Sequence, residues 1–193
     1  MKKVFLGTVL SLIMPTVAWA LPVTVSLEAS NNAVFVGDIF TISILADIPD
    51  PVLGWGLDLS FDSGLVNQSM LPLVNATWMP GLTMDGDGLA GLAFPAPVSG
   101  ADVLLASLTF EATSAGLATF SAGYTPTDLT EGFPLAFALP GSFADVLFEN
   151  TLVTINNVSV PEPGALFLFG TGLAFFGMTR RKTNVSSLYI YSG

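Results

Sequence analysis

Apolar and polar residues alternate along most of the chain. Val23, Val25 and Leu27 interleave with Thr24, Ser26 and Glu28, and Phe40, Ile42, Ile44 and Ala46 interleave with Thr41 and Ser43. Trp55, Leu57, Leu59 and Phe61 alternate with Gly56, Asp58, Ser60 and Asp62, and Leu104, Ala106, Leu108 and Phe110 with Ser107, Thr109 and Glu111. Successive side chains of a strand point to opposite faces, so a period of two predicts strands with one face buried. Residues 89–94, 117–122 and 152–158 predict further strands, and the Gly-, Pro- and Asp-rich stretches 47–51 and 84–88 predict connections. No segment sustains a period of 3.6. The pattern predicts an all-β chain built as an antiparallel β-sandwich over residues 21–160, long enough for one core and too short for two ordinary domains.

The two ends break this pattern. Residues 1–20 open with Lys2 and Lys3, continue apolar through residue 18 and finish on Ala18-Trp19-Ala20. A cationic start, an apolar run and an A-x-A site predict a signal peptide that signal peptidase removes before Leu21. A second run, residues 164–179, carries no charge and is followed at once by Arg180, Arg181 and Lys182. At ~1.5 Å per residue such a helix spans about 24 Å, less than a hydrocarbon core of about 30 Å. It predicts a short C-terminal transmembrane helix that crosses by thinning the bilayer or borrowing flanking residues. The basic cluster then stays cytoplasmic and everything between the two ends lies outside.

Charge sharpens the picture. The chain has 15 Asp and Glu against 5 Lys and Arg, a formal net charge of −10, and neither His nor Cys. Residues 4–179 hold every acid and no base. A surface of that sign repels a polyanion, so nucleic acid is excluded as a partner. Disulfides, thiol nucleophiles, imidazole bases and imidazole or thiolate zinc sites are excluded as well.

Val160-Pro161-Glu162-Pro163, the apolar run and then Arg180 with Arg181 resemble, in that order, the PEP-CTERM sorting signal of exported proteins in Gram-negative bacteria. The resemblance implies processing by an exosortase, a membrane cysteine protease, with Pro161, Glu162 and Pro163 as the recognised motif and Arg180 and Arg181 as the retention cluster. It implies a protein held briefly at the inner membrane and then released to the outer surface or extracellular matrix, where exopolysaccharide and biofilm are the usual company. Residues 161–182 form the sorting signal on this reading, and residues 183–193 continue past the point where the family pattern usually stops.

The middle resembles a cohesin-like domain, the jelly-roll sandwich related to some carbohydrate-binding modules. The matching residues are Val36-Gly37-Asp38 with the strand after them, residues 53–62 and residues 103–112. In cohesins proper the sandwich binds a dockerin helix pair.

Candidate chemistry is sparse. Asp85 and Asp87, separated and followed by glycines, put two carboxylates on one side of a turn and suit a hard oxygen-seeking cation, Ca²⁺. An EF-hand is excluded, because Leu89 stands at its third acidic position. Asp62-Ser63-Gly64 imitates an aspartic protease loop in a single copy, and reads as an ordinary turn. Trp78, in the loop-like stretch 76–81, is the candidate surface ring for a ligand, while Trp55 keeps register with Leu57 and Phe61 and belongs to the core. The favoured expectation is a non-catalytic exported protein whose sandwich contacts exopolysaccharide or another surface protein. A carbohydrate-binding module and a carboxylate-dependent hydrolase are the alternatives.

Overall fold

The computed structural model describes residues 21–84, 88–139, 141–158 and 165–179. Two compact units divide at Asn156/Asn157. Within the first, the alternating stretches become β1 (Val23–Ala29), β3 (Ile39–Val52), β4 (Gly54–Phe61), β8 (Leu89–Ala93), β9 (Val98–Ala112), β10 (Gly116–Gly123) and β12 (Thr151–Asn156). Short strands complete the sheets: β2 (Ala33–Phe35), β5 (Val66–Gln68), β6 (Leu73–Val74), β7 (Trp78–Gly81) and β11 (Val146–Glu149).

One sheet has the order β11-β1-β3-β9-β5, with β6 also on β9; the other has β2-β12-β10-β4-β8-β7. Pairing is antiparallel except where late strands return beside early ones, β11 along β1 and β12 along β2. The sandwich of the sequence expectation is therefore present, with two parallel pairs.

The inward residues of both sheets meet in one core. Phe40 and Phe110 from the first sheet meet Phe61 and Phe120 from the second; Phe61–Phe110 and Phe110–Phe120 stand edge to face at 4.9 and 5.0 Å between centroids. Edge-to-face rings add attraction beyond the apolar area they bury. Val25, Ile42, Leu105 and Val153 fill in around them, all fully buried.

One local expectation is corrected and another is met. Residues 47–51, expected to connect strands, lie inside β3, whose ladder with β9 is interrupted by register shifts on either side of Ile48. Irregular pairing tolerates Pro49 and Pro51 in a long strand, because their missing N–H groups fall where the ladder is already broken. The expected turn at Gly37-Asp38 is present: Gly37 takes a φ of +93°, and the Asp38 carboxylate accepts the Phe35 N–H at 2.8 Å.

In the second unit Ala165–Thr179 forms α1, a charge-free helix of 15 residues, about 22 Å long at ~1.5 Å per residue. Among the described residues no helix is long and apolar enough to cross a membrane. Leu168, Phe169, Leu173 and Phe176 are exposed. A helix without a polar stripe has no side that water favours.

Candidate functional site

Trp78 is not a surface ring. It opens strand β7, is 2% exposed, and donates its indole N–H to the Leu104 carbonyl at 3.1 Å. Its ring meets Trp55 edge to face at 6.3 Å. The period-two rule places it inward: Trp78 pairs with Ala93 in register, on the same side as Trp55 opposite Gly91. Gly91 is required there, because a Cβ would stand 2.5 Å from Trp55 Nε1 and 2.9 Å from Trp78 Cβ.

The outward face of the same sheet carries large apolar side chains. Met79 pairs with Leu92, and the two are 52% and 57% exposed. Across the sheet, Leu117 on β10 and Leu152 on β12 point the same way, opposite Thr154 and Thr119. Both are about half exposed. Phe94, one residue past β8, is also exposed. Periodicity marked the residues buried between sheets and had no means of singling out these outward residues.

Asp85 and Asp87 lie outside the described residues; what anchors the two ends of their loop is visible. The Met84 N–H is shared by Asp128 Oδ2 and Thr130 Oγ1, each at 3.0 Å, and Gly88 donates to Thr83 Oγ1 at 3.0 Å. Gly88 lies against Asp58, so close that a Cβ would stand 2.9 Å from Asp58 Oδ1. Thr125 joins two further carboxylates: its hydroxyl donates to Asp58 Oδ2 at 3.2 Å and its backbone N–H to Glu131 Oε2. Glu131 is only 3% exposed. Residues distant in sequence thus gather around the ends of the 84–88 loop, although no three described carboxylates stand close enough to hold a metal ion. Sequence spacing alone had no signal for this, because Asp58, Asp128 and Glu131 come from separate segments.

Tyr124, Asp128, Leu129, Glu131 and Phe143 line a cavity of about 210 Å³ beside this cluster. Asp62-Ser63-Gly64 is an ordinary turn, the Asp62 carboxylate accepting the Gly64 N–H at 3.1 Å and its carbonyl the Leu65 N–H at 3.0 Å. Pro161, Glu162, Pro163, Arg180 and Arg181 lie outside the described residues.

Residues 159–182 match the PEP-CTERM protein-sorting motif. No curated protein matches the chain in sequence. The structure is similar to the cohesin module of a family 33 glycoside hydrolase from Clostridium perfringens, with a TM-score of 0.54 and 11% identity over 71% of this chain and 97% of that one. A non-cellulosomal cohesin from Archaeoglobus fulgidus aligns with a TM-score of 0.52 and 15% identity, covering 77% of this chain and 98% of that one. A third ScaB cohesin from R. flavefaciens, solved in complex with a group 1 dockerin, gives 0.51 and 10% over 75% and 100%. The class is therefore a cohesin-like β-sandwich, a likeness of fold. Joined to the sorting motif, it makes this an exported protein directed to the cell envelope.

Proposed function

We propose that the protein is a non-catalytic surface protein of a Gram-negative bacterium whose sandwich holds a second protein against the outward face of β7 and β8. The observation that carries this is the cross-strand pair Met79 and Leu92, each more than half exposed, with exposed Phe94 two residues beyond Leu92. Exposed apolar groups gathered on one face mark interaction sites, whereas single ones are ordinary. The cohesin of R. flavefaciens supports the reading to the extent that its fold is one on which a protein partner sits. Export begins with the signal peptide and ends with exosortase cleavage near Pro161, Glu162 and Pro163, releasing the sandwich from α1 to the outer surface or matrix. The non-catalytic reading agrees with the absence of His and Cys.

A photo-crosslinking residue introduced at Leu92 tests the reading in the native host, with Thr109 on the other sheet as the control position. A discrete protein adduct from Leu92 alone, lost in Met79→Asp, is expected. Equal adducts from both positions, or exopolysaccharide alone on Leu92, would turn the reading aside in favour of a sugar-binding module.

A further inference from the structure

Removal of the signal peptide does more than free the domain. Hydrolysis of the Ala20–Leu21 bond adds one water; the new carboxylate leaves with the leader, and the new amine stays on Leu21 and takes up a proton. Residues 21–160 contain 14 acids and no Lys, Arg or His, so this ammonium is the sole cation in that stretch. Its place is already defined in the fold. Leu21 N lies 3.2 Å from Asp50 Oδ2, a residue 29 positions away near the irregular end of β3.

The neighbourhood holds that nitrogen in place. Val23, two residues on, is 1% exposed and donates its N–H to the Asp145 carbonyl at 2.8 Å, so β1 is fixed from its first residue. Pro22 has no N–H, so of the first two residues only Leu21 can donate to Asp50. Leu21, Pro22, Asp47, Pro49 and Ser99 line an open groove of about 620 Å³. Every charged group of the corner is acidic. Asp47 and Asp50 come from β3, Asp102 from β9 places its N–H on Asp47 Oδ1 at 2.8 Å, and Asp145 precedes β11.

We infer that the amino terminus created by signal peptidase docks on Asp50 as an ammonium–carboxylate pair, so that processing itself supplies the base-free sandwich with its countercharge. This rests on cleavage before Leu21. In the precursor the same atom is a neutral amide, able to donate one hydrogen bond and no charge. In the mature protein the corner of Asp47, Asp50 and Asp102 gains the one group that relieves its repulsion, and charge-assisted bonds are about twice as strong as neutral ones. Exposure at Leu21, 63%, keeps the effect at the level of a surface pair.

The composition makes the test unusually clean. Between pH 6.5 and 9 the α-amine is the only kind of group in residues 21–160 whose ordinary range falls in the window, since the stretch has neither His nor Cys. Carboxylate neighbours raise the amine above its ordinary ~7.7–8.0 in the folded state. The sign then follows: the stabilisation is full below the unfolded value and is lost as pH rises through the raised folded one.

The full chain is exported with its own leader, the mature protein is purified, and its amino terminus is read by sequencing. Amine titration and melting temperature are then followed from pH 6.5 to 9. The expected result is a start at Leu21, an amine titrating above its ordinary range, and a melting temperature that falls by about 1–3 °C across the window. Asp50→Asn removes both effects and Asp50→Glu restores them. An amine that titrates in its ordinary range, unmoved by Asp50→Asn, overturns the pairing while leaving the cleavage site standing. A mature start other than Leu21 overturns both, and sequencing tells the two failures apart.

Discussion

The outward faces of the two sheets differ in kind. On the first sheet the central rows are hydroxyls, Thr24, Ser26, Thr41, Ser43, Ser107 and Thr109, with Ser43 beside Ser107 and Thr41 beside Thr109 in register. Large exposed apolar residues stand at its margins, Ile39 at the start of β3, Leu147 on the edge strand β11 and Leu73 on β6 beside Ser107. On the second sheet the outward positions include Ser60, Thr119, Ser121 and Thr154, with exposed Met79 and Leu92 at the Gly54 end of β4 and exposed Leu117 and Leu152 towards its Phe61 end. Both faces belong to strands of similar inward chemistry, so folding does not explain the difference. Water suffices to cover the hydroxyl face. The apolar face is what one expects of a surface that spends part of its life covered by something else.

The largest expected effect tests whether the apolar face has a rigid backing. Gly91 lies under Trp55 and Trp78, and an alanine there puts Cβ 2.5 Å from Trp55 Nε1. Gly91→Ala is expected to cost about 2–3 kcal/mol, since two packed indoles have nowhere to move. Gly123→Ala on β10, where nothing lies within 4 Å, is the control and should stay within about 0.5 kcal/mol. Thermal melts compare the two; equal costs would mean that the tryptophan pair is not what sets the geometry of β8. Trp78→Ala belongs to the same test, since any loss of ligand it produces would be accompanied by lost stability.

The comparison itself is put at risk by exchanging the chemistry of the faces. Leu92→Asp should leave stability within about 0.5 kcal/mol, as exposed substitutions do, and weaken partner binding by more than tenfold. Thr109→Asp, the same charge on the hydroxyl face, should leave binding unchanged. If both variants bind alike, the two faces do not differ in function whatever their composition.

The loop that carries Asp85 and Asp87 offers a smaller effect. Its ends are fastened to Asp128, Thr130 and Thr83, beside the Asp58 carboxylate. The expected outcome is a larger rise in melting temperature with Ca²⁺ than with Mg²⁺ at equal ionic strength, and loss of that difference in Asp85→Asn with Asp87→Asn. The same Ca²⁺ response in wild type and double mutant, measured by calorimetry, would leave only general screening.

What was legible in the sequence follows from what period-two patterning encodes. It records which residues face inward, and so it located β1, β3, β4, β8, β9, β10 and β12 and the buried Trp55. Strands of two to four residues, such as β2, β6 and β7, are too short to show a period, and Trp78 was read as a loop residue for that reason. Residues 47–51 carried turn composition but sit in a strand, because bulges excuse prolines from the ladder. Phe133, fully buried within an irregular stretch, carried no pattern at all. The sorting segment was legible as an ordered sequence of motif, apolar run and basic cluster, which needs no fold to be read. The proposed partner face was not legible, since an outward leucine looks like an interruption until its cross-strand neighbours are known.

Salt gives the smallest and most general effect, and it distinguishes the whole domain from its one favourable pair. Screening weakens attraction and repulsion alike, so the sign of the salt response reports which dominates. Residues 21–160 offer 14 acids and no basic side chain, which leaves repulsion throughout and attraction only at the Leu21 amine. Both outward faces share this field: Glu28, Glu111 and Glu149 border the hydroxyl face and Asp58 lies on the other. At ~0.15 M salt the range of these interactions is already cut to about 8 Å, so most of the gain should come below that concentration. The melting temperature of the exported protein is expected to rise by a few degrees between about 0.01 and 0.15 M NaCl and then level off. The rise should be larger at pH 9 than at pH 6.5, because deprotonating the amine removes the one attraction that salt would weaken. A flat or falling curve would show that the acids are too widely spaced to repel, and a pH-independent one that the amine is not part of the balance.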